Sequence, residues 1–483
     1  MLKYKAIILG VWLAVSGTGL LEAQESIGLA SGNYAGINGA LLNPASLVNF
    51  KQYLDIQLAA GSVSFENDYL YFPAEEYRSR DLFSLHPIIG GFRQHINGAD
   101  KQASLSARAS GPGFLLVTGD FAYGFSAAAR TMVSLNKVPE SIANFAYFGL
   151  NYPPQLGVLF TEDDFYGSGM AWNEYAFSLA RIFDDRFYNR ISAGITVKYN
   201  QAHSGFSFYG QNATYTMLDE ETLDITNMNA VSAMSLPLDY NSNAFPDPGA
   251  FFKGSGLSFD LGVTLLRKDK NYHRRDFRRL CQQHYTSYLY KVGFSILDLG
   301  FVRFTENAMA HQYPEVNYLW EQIHAYQFND IHFLMRDLSD RFYYDASKSY
   351  TGNRFTLFTP AAVSVQGDVA FDYQLYLHAL WIHPLRMGIS SMHRPAQFVL
   401  VPRYEQRNFE AALPVSLYQY KYPRIGLSIR LYALTLGTEK IGAFTGLTDF
   451  SGMDFYFSLK FSFDKGKCLG SIQKYGCENV RFK

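Results

Sequence analysis

The chain lacks most of what marks a soluble enzyme or a nucleic-acid binder. Charged residues are 18% of its 483 positions, against roughly 25% in ordinary soluble domains. The 42 Lys and Arg nearly cancel the 43 Asp and Glu, leaving a net charge of -1 and no basic footprint for nucleic acid. After the N-terminus no uncharged apolar run reaches about 18 residues, which excludes a helical membrane bundle. Three cysteines are too few for a disulfide framework. There is no G-x-S-x-G elbow, no P-loop and no H-E-x-x-H. His378 and His383 lie in an extended segment at an odd spacing and point to opposite faces, so they make a poor metal pair. The acid pairs Asp163-Asp164 and Asp184-Asp185 read as hydrated loop residues. No enzyme activity, cofactor or metal is expected.

Aromatics are abundant instead: 35 Tyr and 40 Phe, though only 4 Trp. Mean hydropathy is -0.10. So many Phe and Tyr exclude disorder. The length suits about two or three globular domains or one large barrel. Near-zero hydropathy with many aromatics favours a barrel whose strands alternate lipid-facing and lumen-facing residues.

The N-terminus reads as an export signal. Lys3 and Lys5 precede an apolar stretch from Ala6 to Val15, and Leu21-Glu22-Ala23 supplies a small residue before the cut, placing cleavage after Ala23. The alternative is an uncleaved anchor. No Cys lies near the cut, so a lipoprotein is not expected. Cys468 and Cys477 are close together in the tail and form a candidate disulfide in an oxidising periplasm, although spacing does not establish the geometry. Cys281 is left without a role.

The dominant period is two, that of a strand with unlike faces. Phe455, Phe457, Leu459, Phe461 and Phe463 share one face, opposite Tyr456, Ser458, Lys460 and Ser462. Leu257, Phe259, Leu261, Val263 and Leu265 oppose Ser258, Asp260, Gly262 and Thr264. The pattern recurs in 191–199, 371–381 and 424–431. Several runs are about nine to eleven residues long, enough for a tilted membrane strand. Tyr199, Trp381, Tyr404, Tyr418 and Tyr420 fall at strand ends, as in interfacial girdles. Weaker candidates are 53–60, 103–109, 114–118, 121–128, 175–183, 288–298, 361–370, 396–404, 409–420 and 432–436. Gly119-Asp120 and Gly367-Asp368 read as hairpin turns. A soluble sandwich or propeller is the competing reading, but no blade repeat of about 40 to 50 residues is present. Single-chain barrels usually have even counts, so about 14 strands are expected, with about 16 the alternative.

Long polar segments lie between the strands, at 137–173, 201–255, 267–287 and 306–353. Within them, Arg267–Arg279 is strongly basic and reads as a solvated loop or a contact for lipopolysaccharide or a partner. Ile331, Leu334, Met335, Leu338 and Phe342 have near-helical spacing. Opposite the apolar faces fall Asp55, Gln57, Arg108, Lys198, Asp260, Asp372, Gln374, His378, Arg430 and Lys460. If the apolar faces meet lipid, these are candidate lumen-lining residues. Their mixed charge predicts little ion selectivity and suits a lumen braced by salt bridges or filled by a plug. They fit a merely solvated wall equally well.

Residues 28–40 carry a glycine every three or four positions and run into Leu41-Leu42-Asn43-Pro44-Ala45. That reads as a flexible leader or as a compact segment inside the barrel, where small residues allow close backbone packing. Here the chain resembles the FadL-type long-chain fatty-acid transporter superfamily, in which an N-terminal hatch with an Asn-Pro-Ala motif plugs a 14-stranded barrel. Asn43, Pro44 and Ala45 match that motif. Further segments are similar to an uncharacterised Bacteroidota branch of such barrels: Phe259-Asp260-Leu261-Gly262-Val263, Val292 to Gly300, Pro402-Arg403-Tyr404-Glu405, Leu413-Pro414-Val415-Ser416, and Gly426-Leu427-Ser428-Ile429-Arg430-Leu431 leading to Leu436-Gly437-Thr438-Glu439-Lys440. Fatty-acid pocket residues do not match individually, so no ligand chemistry carries over.

The expectation is an all-β transmembrane antiparallel barrel in the outer membrane of a Gram-negative bacterium. Its parts would be a signal peptide (1–23), a hatch segment (24–50), the barrel (51–463) and a periplasmic tail (464–483). The resemblance implies a FadL-like channel or binder for small hydrophobic molecules. The expected partners are outer-membrane lipid, a small hydrophobic ligand and an outer-membrane protein, with no nucleic acid. The alternative functions are a scaffold or adaptor in an outer-membrane assembly, such as a secretion machine, and a soluble periplasmic β protein.

Overall fold

The computed structural model describes residues 27–76, 91–186, 188–247, 249–269, 288–323, 330–372 and 374–464. The export signal, Cys281, Cys468, Cys477 and the tail beyond 464 lie outside the described residues. The chain forms a closed antiparallel barrel of 14 strands. Its first half uses β1 (Gln52–Asn67), β2 (Lys101–Thr118), β3 (Phe121–Val138), β4 (Leu159–Asp185) and β5 (Asn189–Met217). After an inserted strand, β6 (Leu223–Ser235), the wall resumes with β7 (Gly254–Lys268) and β8 (Tyr288–Phe304). Two more strands stand outside the wall, β9 (Ala308–Tyr313) and β10 (Tyr350–Gly352). The next wall strand is split into β11 (Phe355–Phe358) and β12 (Ala362–Ala370). Then come β13 (Leu375–Pro384), β14 (Gln397–Glu405), the split pairs β15 (Phe409–Ala412) with β16 (Val415–Tyr418) and β17 (Tyr422–Ile425) with β18 (Leu427–Leu431), and finally β19 (Leu434–Thr438) and β20 (Gly452–Asp464). β20 pairs with β1 from Gln52↔Asp464 to Glu66↔Gly452 and closes the ring.

The alternation explains why this sheet faces lipid. Phe259, Leu261, Val263, Phe294, Phe455 and Phe461 are exposed on the outer surface, while Ser258, Asp260, Thr264, Ser295, Tyr456 and Lys460 are buried. In hydrocarbon every backbone N–H and C=O must find a partner, and a closed ladder leaves no edge. One strand departs from regularity. β8 has a bulge between Ile296 and Leu299 opposite β7, with Asp298 at φ 50°. Past that kink β8 exchanges its partner β12 for β11.

Connections at one barrel end are short (residues 119–120, 186–188, 371–374, 406–408 and 432–433) except for 269–287, and they are mostly long at the other. Short turns usually face the periplasm. The basic stretch 267–279 leaves β7 at the short-turn end, where Arg267 pairs with Asn189. Residues 270–279 of it lie outside the described residues.

Several expected loops are strand instead. β4 has 27 residues and β5 has 29, far more than a bilayer needs. Their outer halves occupy the segments read as loops at 137–173 and 201–255. Beyond the membrane neither face meets lipid, so polar residues enter both faces and the period-two signal is lost. The outer half of β5 pairs with β6, β6 with β9, and β9 with β10, forming a platform beyond the barrel. The expected helical stretch is there a helix, Ile331–Tyr343, capped by the Asp330 side chain, which accepts from Phe333 N–H at 2.6 Å. Met335 packs on Met309 and Tyr240, and Leu338 and Phe342 pack on Ile225, Tyr313 and Val316, so the helix covers the platform.

Two turn readings need correction. Gly367-Asp368 is not a turn: both residues lie inside β12, paired with Ala379 and His378, and the reversal comes at 371–374. The run 409–420 is broken between Ala412 and Val415, because Pro414 has no N–H for the ladder.

The lipid face generates a depth-dependent prediction. Phe294→Arg, in mid-strand, should destabilise the barrel by about 2–4 kcal/mol, whereas Phe371→Arg on the turn should cost about 0–1 kcal/mol. Urea unfolding in detergent micelles checks both.

Candidate functional site: the filled lumen

Residues 27–50 fill the lumen at the short-turn end. They form a helical turn, Ile27–Ala30, and two 3-10 turns, Gly36–Leu41 and Pro44–Asn49. Ile37, Ala40, Leu47, Val48 and Phe50 pack on Leu115, Val117, Ala122, Ala180 and Ile182 of β2, β3 and β4. On the opposite side Ile27, Ala30 and Leu42 pack on Leu380, Ile382, Val399, Val401 and Ala412. The inner wall is thus apolar along these two contacts, which the polar-lumen reading did not anticipate.

The Asn43-Pro44-Ala45 turn is the tightest contact. The Asn43 side-chain Oδ1 accepts from Ala45 N–H at 2.9 Å and caps the second 3-10 turn. Asn43 Nδ2 donates to Gln366 Oε1 at 2.8 Å and to the Val263 carbonyl at 3.1 Å. The wall makes room with missing side chains. A Cβ on Gly194 would lie 2.6 Å from the Pro44 carbonyl carbon, and one on Gly262 would lie 2.1 Å from Asn43 Oδ1. Asn49 Nδ2 continues the seam to Ser192 Oγ and Thr264 Oγ1, both at 3.1 Å.

Charged side chains hold the rest of the segment. Asn33 donates from its backbone N and its Nδ2 to the two Glu405 oxygens, each at 3.0 Å. Glu405 also accepts from Arg403 Nε at 2.5 Å, and Arg403 Nη2 reaches Asp368 at 2.7 Å. Glu439 accepts from the N–H groups of Ile27 (3.1 Å) and Gly28 (3.4 Å). Lys460 bonds the Tyr34 carbonyl and lies 3.5 Å from Asp55. Arg430 pairs with Glu410 at 3.1 Å, and its guanidinium lies over the Tyr34 ring.

A second cluster runs along six neighbouring strands farther from the short turns. Arg108 (β2) and Arg130 (β3) bond Glu174 (β4) at 3.0 and 2.6 Å. Lys198 (β5) bridges Asp260 (β7) at 2.7 Å and Asp298 (β8) at 2.5 Å. Arg130 and Arg394 also reach Asp298. The β8 bulge turns Asp298 into this cluster. Removing one member of such a set strands a buried charge, at a cost of about 3–5 kcal/mol.

Above that cluster the lumen is apolar and closed by the connection 385–396 between β13 and β14. Met392 is buried with Met132, Met170, Trp172, Val302, Phe304 and Leu357. Ser168 Oγ donates to the Ser391 carbonyl at 3.2 Å. Met392 N–H donates to the Phe358 carbonyl, and Phe358 N–H to the Ser390 carbonyl, each at 3.0 Å.

Asp55, Gln57, Lys198, Asp260, His378, Arg430 and Lys460 are buried on the inner side, and Arg108 is half-buried there. His378 lies 3.8 Å from Asp368. Asp372 and Gln374 do not line the lumen: both are exposed on the turn at 371–374, because the alternation in the sequence continues past the end of the ladder. Arg130 and Glu174 escaped the sequence reading although parity alone places them inward. Asp298 and Met392 could not have been found that way, since one lies in a bulge and the other in a connection. No group of three or more His, Cys, Asp or Glu suited to a metal exists among the described residues.

The architecture is therefore that of a transmembrane barrel whose lumen is occupied by its own chain. The chain belongs to the family of unknown function DUF5723, whose model matches residues 44–439. No curated protein sequence matches it. Among solved structures it is similar to the Ralstonia pickettii toluene transporter TbuX (10% identity, TM-score 0.39, covering 89% of this chain and 94% of that one). It is also similar to the Pseudomonas putida toluene transporter TodX (10%, 0.33, 92% and 99%) and to a Pseudomonas aeruginosa FadL homologue (9%, 0.25, 92% and 100%).

The glycine recess can be tested directly. Asn43→Ala and Gly194→Ala should each loosen the seated turn by about 2 kcal/mol, since Asn43 is buried with its bonds made inside the barrel. The Ala45 amide should then exchange hydrogen on the order of 10–100 times faster. Gly367→Ala, whose Cβ would meet nothing within 4 Å, should leave that exchange unchanged.

Proposed function

We propose that this protein is an outer-membrane barrel that binds or passes small hydrophobic molecules, with residues 24–45 as its hatch. The proposed organisation is an export signal at 1–23, the hatch segment at 24–50, the barrel at 51–463 and a periplasmic tail beyond. The observation that carries the reading is the filled lumen. The gap between segment 27–50 and the wall, bounded by Asn43, Lys291, Gln366, Asp368 and His378, measures about 30 Å³, the room of about one water. A gap of that size beside the hatch admits no hydrated ion or sugar. What remains for a solute is the apolar region under Met392. The FadL resemblance, with its Asn-Pro-Ala hatch, supports the same reading.

An adaptor role draws on a different feature, the platform of β6, β9 and β10 with its covering helix. Permeability separates the two. In planar bilayers the intact protein should be electrically silent, and a form lacking residues 27–45 should conduct. Cells lacking the protein should accumulate labelled toluene more slowly than cells carrying it. A barrel that stays silent after hatch removal, in cells whose toluene uptake matches the deletion strain, sinks the transport reading and leaves the adaptor.

A further inference from the structure

The connection 385–396 differs in kind from an ordinary loop over a barrel mouth. It leaves β13 and reaches across to β4 and β5. Ser207 Oγ meets Ser390 Oγ at 3.3 Å, and the Arg386 guanidinium lies 4.2 Å from the Tyr166 ring centre and 5.6 Å from that of Tyr209. Its polar atoms are engaged at this rim. Its Met392 side chain is 1% exposed and packs among Met132, Met170, Trp172, Val302, Phe304 and Leu357, while Pro395 and Ala396 are buried at the strap's far end.

That chamber has the chemistry of a ligand site. Methionines adapt to varied shapes and favour contacts with rings. Trp172 and Phe304 provide aromatic surface, and Phe304 stacks on Phe355 at 4.8 Å. The Trp172 indole N–H is buried with no acceptor among the described residues, so the chamber holds one spare donor. The charged residues below pair with one another, and the Arg130 guanidinium also lies 4.7 Å from the Trp172 ring centre.

We propose that Met392 is an internal surrogate for a ligand, and that the chamber binds a small uncharged apolar molecule, with at most one weak acceptor, when the strap 385–396 swings out. This rests on the hydrophobic-solute reading above and names its site and its moving part. The strap's ends are pinned by Leu385 N–H to the Ala361 carbonyl at 2.8 Å and Gln419 N–H to the Ala396 carbonyl at 2.7 Å. Between them it is tied by the serine contacts, two backbone hydrogen bonds to Phe358, the Arg386 and His393 ring contacts and the buried Arg394–Asp298 pair. The hatch, in contrast, is embedded among many buried groups.

The test uses the full-length barrel in detergent and bromobenzene as a quencher of Trp172 fluorescence, with Trp172→Phe protein as background. Ser207→Cys with Ser390→Cys, made where Cys281, Cys468 and Cys477 are serine, should lock the strap on oxidation. The oxidised form should leave Trp172 unquenched, and reductant should restore quenching in the same sample. Met392→Ala should reach half-quenching at about tenfold lower bromobenzene, because a cavity left by a buried methionine is refilled by the ligand. If the cysteines do not close, Met392→Ala alone decides. Quenching that is the same in all forms overturns the proposal, even for a barrel that transports toluene. Strap-dependent quenching in a barrel that transports nothing keeps the site and discards only the transport.

Discussion

Ring closure is the constraint on which the rest depends. Once β1 pairs with β20, each strand has one face committed to lipid and one to the interior. A ring of 14 strands is wider than wall side chains can fill, since about eight strands already approach that limit. The interior must then hold water or chain. This protein fills it with chain from both ends, segment 27–50 at one and the strap 385–396 at the other. The wall residues inside are chosen to receive that chain rather than to line a channel. Gly194 and Gly262 are empty where Asn43-Pro44-Ala45 presses, and Leu380, Val399 and Val401 are apolar where Ile27 and Leu42 lie.

The same constraint explains the lumen charges. A carboxylate or ammonium inside a filled barrel is desolvated and is tolerated only with partners. Asp298 meets Arg130, Lys198 and Arg394, Glu174 meets Arg108 and Arg130, and Glu405 meets Arg403 and Lys51. Each carboxylate therefore joins neighbouring strands, or wall to segment, and serves as bracing. Such pairing offsets the lumen charges named here against one another. It is a condition of filling the lumen and says little about which ions could have crossed it.

What the sequence made legible was whatever faces lipid. Phe455 to Phe463 and Leu257 to Leu265 declare their strands because hydrocarbon tolerates only apolar groups, and the opposite residues Asp260, Lys198 and Lys460 follow by parity. Where that pressure stops, legibility stops too. The outer halves of β4 and β5 looked like loop because both faces are wet. Asp372 and Gln374 kept the alternation after the ladder had ended. Asp298 was hidden by the bulge that turns it inward. The Asn43 motif could be recognised by resemblance, but its receptor could not, since Gly194, Gly262 and Gln366 meet it only after three distant strands are brought together. Met392 carried no pattern, because a connection has no period.

The two fillings differ in how firmly they are held, and this difference gives the barrel a direction. Segment 27–50 is bound by buried hydrogen bonds from Asn33, Asn43 and Asn49 and by the carboxylates Glu405 and Glu439. Releasing it would expose many polar groups at once to a closed interior. The strap is bound at the rim through Ser390 and Ser391, whose bonds water can replace as they break, and below the rim through the buried Arg394–Asp298 pair, which must break before Met392 is withdrawn. Local opening begins where few contacts must be broken and the freed backbone can be solvated. The apolar cluster around Met392 lies at the end with the long connections, and the paired charges lie between it and segment 27–50. On the proposed transport reading, an apolar solute would have to pass the paired charges beneath that cluster and the firmly held segment, so entry and exit would be separate steps with separate barriers.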